Sequence, residues 1–79
     1  MKLLYFNAPW CGPCEQQKEL LKQYDATPVE SINVEEDTAT ANKYSVRSLP
    51  KLILIDDNGS VVKSFNGLTN PSEIEQYVE

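Results

Sequence analysis

Apolar residues fall in short clusters along this chain, separated by turn formers, and the spacing within the clusters changes from one to the next. Leu3, Leu4, Tyr5 and Phe6 form an unbroken run closed by Asn7 and Pro9, the pattern of a central strand covered on both faces. Between Pro13 and Tyr24 the chain is rich in Glu, Gln, Lys and Leu, which lose little side-chain freedom in a helix, and a proline near the start suits a first helical turn. Thr27 and Pro28 interrupt the helix signal. Ile32 and Val34 then alternate with Ser31, Asn33 and Glu35, as in a strand less buried than the first. Asp37 is placed to cap a short helix through Thr38 to Tyr44, with Ala41 and Tyr44 on one face. Leu49-Pro50 returns the chain to extended backbone. The apolar runs 52–55 and 61–65 flank Asp56-Asp57-Asn58-Gly59, and an Asn-Gly pair in that setting is a strong hairpin signal. Finally Asn70-Pro71-Ser72-Glu73 combines an N-cap, a proline at the first helical position and a capping-box acid, followed by Ile74, Tyr77 and Val78. The predicted order is β-α-β-α-β-β-α, an α/β domain.

Composition narrows what such a domain can do. The chain has 79 residues, so a single domain over 1–79 is expected, with a thin core and a function carried on its surface. It has no histidine, which removes serine-type triads and His-based metal sites. Twelve acids against seven bases give a net charge of −5, so neither nucleic acid nor an anionic membrane is an expected partner. Two cysteines are too few for a secreted disulfide scaffold, and the apolar start at 3–6 is too short for a signal-peptide core; a cytoplasmic location is expected. The longest apolar run, 52–55, falls far short of the ~20 residues that cross a bilayer.

The chemistry lies in Trp10-Cys11-Gly12-Pro13-Cys14, at the junction of the first strand and first helix. This segment resembles the active site of the thioredoxin family, and the order of elements is similar to that family's core over nearly the whole chain. The resemblance implies the thioredoxin fold in minimal form, a four-stranded mixed sheet flanked by three helices. It also implies a redox-active Cys11-Cys14 disulfide. A helix N-terminus favours thiolate over thiol at Cys11, the expected nucleophile, while Cys14 lies one turn beneath as the resolving residue. Trp10 would shield one side, Gly12 would let a partner approach, and Pro13 would stiffen the turn. A purely structural bridge would close a tiny loop worth only ~2 kcal/mol in the chain-entropy model. A zinc site needs about four ligands, and this chain offers two cysteines.

Further positions follow from the same resemblance. Pro50 matches a cis-proline that aligns substrate, Leu49 before it offers backbone to an extended segment, and Gly67 matches a glycine that lets substrate approach. A plain turn glycine is an equal reading of Gly67. Two positions depart from the family. Tyr5 stands where many thioredoxins bury an aspartate, and Ser31 stands where a lysine is usual; Tyr5 is expected to pack in the core, leaving water to shuttle protons. The implied function is reduction of protein disulfides without metal or bound cofactor, by a monomer. Electrons would come from a flavin- and NADPH-dependent thioredoxin reductase and pass to proteins such as ribonucleotide reductase. Two competing readings stand beside it: a glutaredoxin-like or ribonucleotide-reductase-dedicated redoxin, and a docking subunit without redox turnover.

Overall fold

The computed structural model describes residues 1–78. Its elements are β1 (Lys2–Asn7), α1 (Gly12–Leu21), β2 (Val29–Asn33), α2 (Thr38–Lys43), β3 (Lys51–Ile55), β4 (Val61–Asn66) and α3 (Pro71–Glu75), in the expected order. The four strands form one mixed sheet ordered β2-β1-β3-β4. β1 pairs in parallel with β2, placing Tyr5 opposite Ser31, and antiparallel with β3, placing Tyr5 opposite Leu52. That central position explains why the first apolar run does not alternate: Leu3, Leu4, Tyr5 and Phe6 are all buried.

Each face of the sheet carries its own core. Leu3, Tyr5, Leu52, Leu54 and Phe65 pack with Leu21 of α1 and Ile74 of α3, and both cysteines belong to this cluster. On the other face Leu4, Phe6, Ile32 and Ile53 pack with Tyr44, whose ring lies 5.9 Å from that of Phe6. The alternation along β1 thus delivers α1 and α3 to one side and the end of α2 to the other.

The boundaries moved where side chains found partners off the regular path. α1 stops at Leu21 rather than reaching Tyr24, because Tyr24 turns inward and its hydroxyl meets Thr27 Oγ1 at 2.7 Å. β2 begins at Val29, two residues before the visible alternation, because its extent is set by pairing with β1. α3 ends at Glu75, and Tyr77 and Val78 follow in tighter turns, their N–H groups bonded three residues back. Its capping box is present, with Asn70 and Glu73 bonding each other's backbone. Between β3 and β4 the Asp56 carboxylate accepts the N–H groups of Asn58 and Ser60, each at 2.9 Å, and Gly59 takes a positive φ of 84°. Asn58 keeps a negative φ, so this is a longer connection than a two-residue turn.

Candidate active site

β1 runs into a short segment that ends at Cys11, and Cys11 opens α1 as its N-cap with extended backbone. The Cys11 N–H bonds back to the Ala8 carbonyl at 3.1 Å, and Cys11 Sγ accepts the backbone N–H of Cys14 at 3.2 Å. A sulfur so placed faces the unpaired N–H groups and positive end of a ten-residue helix, both of which favour its anionic form. Cys14 lies one turn inward, its Cα 5.3 Å from that of Cys11, and the two form a disulfide. Pro13 occupies the first turn, where its missing N–H leaves no bond unmade. A Cβ added at Gly12 would meet nothing within 4 Å, so no contact inside the chain demands glycine there.

Trp10 is 69% exposed, and its indole N–H donates to the Glu35 carboxylate at 2.6 Å. The indole is thereby held at one wall of a groove of about 240 Å³, lined also by Val34, Val46, Arg47, Ser48 and Leu49. Leu49 packs against the core that contains both cysteines. The Leu49–Pro50 peptide is cis, and the Pro50 carbonyl accepts the N–H of Gly67 at 3.0 Å. Gly67 has φ 77°, a backbone conformation that favours glycine irrespective of any partner. The fold therefore gathers the Trp10–Cys14 segment, Leu49-Pro50 and Gly67 from three separate stretches of chain.

Behind the pair lies a second cleft of about 270 Å³, bounded by Tyr5, Cys14, Ser31 and the exposed Glu15, Lys18 and Lys22. Tyr5 both packs in the core and donates its hydroxyl to the Cys14 carbonyl. Burial raises the Tyr5 phenol above its ordinary pKa of 10.0, and the negative charge of Glu15 adds to the effect. It is a hydrogen-bond donor that keeps its proton, not a base. Ser31, opposite it, accepts the Asn7 side-chain amide at 2.9 Å. Among the described residues, no three His, Cys, Asp or Glu side chains come together as metal ligands would.

Two side chains at the site escape sequence reasoning. Glu35 reaches Trp10 across 25 residues, and Gln17 bonds to Thr69 across 52. Only Gln17 left a signal: Cys14, Gln17 and Leu21 share the buried face of α1, where a polar residue stands out.

The chain matches the Thioredoxin family over residues 1–79. It is 35% identical over 78 residues to thioredoxin of Bacillus subtilis, covering 92% of this chain and 74% of that protein. Against thioredoxin of Rhodospirillum rubrum the identity is 34% over 79 residues, covering 94% and 75%. Among solved structures, a mutant thioredoxin from Halobacterium salinarum has a TM-score of 0.85 at 34% identity, covering 99% of this chain and 74% of that one. A match along the whole length, joined to a cysteine pair bridged at the start of α1, places the chain in the thioredoxin family as a thiol-disulfide oxidoreductase.

Proposed function

We propose that residues 1–79 act as one domain in which Cys11 is the nucleophile and Cys14 the resolving thiol, reducing disulfides of cytoplasmic proteins. The observation that carries the assignment of roles is the N–H of Cys14 directed at Cys11 Sγ, at the N-terminus of α1. In the reduced protein that sulfur is the better thiolate. It attacks one sulfur of the substrate disulfide, and the other sulfur leaves as a thiolate and takes a proton from water. Cys14 then loses its proton and attacks Cys11 Sγ. The substrate's remaining sulfur is released, so two electrons pass to the substrate and the Cys11-Cys14 disulfide forms. The cleft beside Cys14 supports a route by which water takes that proton, with Tyr5 remaining protonated.

The groove beside Trp10 and Leu49 suits an extended substrate segment, its apolar floor accepting side chains and the Leu49 backbone offering strand-like pairing. Trp10, Gly12 and Pro13 tune the reacting pair, while Leu49, Pro50 and Gly67 bind substrate. Members of the family are reduced by thioredoxin reductase and act on disulfide proteins. For this chain the electron donor is the flavin- and NADPH-dependent reductase, and the acceptors are proteins of the ribonucleotide reductase kind.

The roles separate in the Cys14→Ser protein. After reaction with insulin it is expected to retain a covalent adduct through Cys11, seen as a mass increase that dithiothreitol reverses, with turnover reduced by at least roughly a hundredfold. An adduct formed by Cys11→Ser through Cys14, and none by Cys14→Ser, would reverse the assignment.

A further inference from the structure

Gln17 is fully buried, on the α1 face that also carries Cys14 and Leu21. A primary amide removed from water is costly unless both of its ends are bonded. Here both ends go to a single residue. Gln17 Nε2 donates to the Thr69 carbonyl at 2.9 Å, and Gln17 Oε1 accepts the Thr69 N–H at 2.7 Å. This is the two-bond pairing that one strand residue makes with another, made instead by a side chain to a loop. Thr69, 4% exposed, passes the restraint on: its hydroxyl donates to the Gly67 carbonyl at 3.0 Å, and the Gly67 N–H donates to the Pro50 carbonyl at 3.0 Å. An unbroken series of hydrogen bonds thus runs from the helix that carries Cys11, through the loop 67–70, to the Leu49–Pro50 segment. Leucine at position 17 would fill similar space without burying an amide, but would leave the Thr69 N–H and carbonyl unpaired. The polar side chain is explained by the loop it holds.

We infer that Gln17 is a positioning residue that fixes the 67–70 loop against α1, so that Gly67, Leu49-Pro50 and Cys11 form one preorganised surface for an extended protein substrate. The inference rests on the substrate-binding role proposed for Leu49, Pro50 and Gly67. A small disulfide that touches only the sulfur of Cys11 makes little use of that surface, whereas a protein disulfide depends on it. Loosening the loop should therefore weaken binding of protein substrates more than it slows sulfur chemistry.

The test compares steady-state reduction of insulin and of dithiobis(nitrobenzoic acid) by wild type, Gln17→Leu and Thr69→Val, with amide hydrogen exchange on each. For Gln17→Leu, KM for insulin should rise with kcat changed less. The loss of kcat/KM should exceed that for the small disulfide by roughly fivefold, of the size expected when hydrogen bonds ordering a loop are removed. The Thr69 amide should exchange faster while those of β1 stay protected. Thr69→Val keeps its volume and loses only the bond to Gly67, so it should show the same split to a smaller degree. It decides the matter if Gln17→Leu loses β1 protection and so fails to fold. Equal losses for the two disulfides, or an insulin KM unchanged in folded variants, would overturn the inference. Wild-type protein that reduces neither disulfide would instead overturn the proposed function, and slow exchange at Thr69 in folded Gln17→Leu would then independently show that Gln17 does not hold the loop.

Discussion

The two cysteines differ in their surroundings more than in their exposure. Cys11 is 5% exposed and Cys14 2%, yet Cys11 Sγ takes a backbone N–H at the mouth of α1 while Cys14 faces the core and the cleft behind it. Tyr5 marks that inner side. Because its phenol is raised by burial and by Glu15, it stays protonated through the neutral range, so Tyr5→Phe should leave the pH profile of insulin reduction unmoved. The same substitution should lower stability by about 1 kcal/mol through the lost bond to the Cys14 carbonyl. The folded phenol holds its proton above the ordinary value of 10.0, so the unfolded chain ionises first and wild type loses stability as pH rises past that point. Tyr5→Phe should lack this loss, as urea midpoints across that range will record. At this scale the cysteine motif was legible because its five residues are contiguous, and Pro50 and Gly67 were legible through resemblance. Gln17 and Glu35 were not, because each takes its meaning from a partner far along the chain that periodicity does not reveal.

At the scale of elements, caps govern where the short helices start and stop. Asp37 accepts both the hydroxyl and the backbone N–H of Thr40, and those bonds, the hydroxyl's first, hold its carboxyl below the ordinary 3.8. A depressed folded pKa contributes stability above the unfolded value and loses it as pH falls through the folded one. Asp37→Asn keeps an oxygen for the cap but cannot be protonated there, so denaturation midpoints between about pH 5 and pH 2 should fall less steeply than in wild type. The end of α2 is a Schellman motif, with Ser45 N–H on the Asn42 carbonyl and Val46 N–H on the Ala41 carbonyl. Ser45 there has φ 54°, the left-handed conformation in which glycine is usual. Ser45→Gly should raise stability by about 1 kcal/mol, measurable as a higher Tm; a lower Tm would contradict that account of the turn. The starts of α2 and α3 were legible because caps are local signals. The end of α1 and the span of β2 were not, since Tyr24 is recruited by Thr27 and β2 takes its length from β1.

For the molecule as a whole, the sheet decides what the motif can do. With β1 between β2 and β3, the end of one central strand delivers Cys11 to the rim, and β3, antiparallel beside it, brings Pro50 to the same end. The βαβ unit and the hairpin were each visible in the pattern of residues. The pairing of β1 with β3, Lys2 with Ile55, joins them across the chain and rests on no local signal; resemblance implied a four-stranded mixed sheet but not this pairing. No described helix is long and apolar enough to cross a membrane. In the proposed cycle, electrons pass from thioredoxin reductase through Cys11 and Cys14 to protein disulfides. The most direct measurement is insulin reduction in two arms, one with NADPH and thioredoxin reductase, the other with glutathione and glutathione reductase. Turnover in the first arm, lost in Cys11→Ser, is the predicted result. Turnover confined to the glutathione arm, or persisting when both cysteines are replaced by serine, would contradict it.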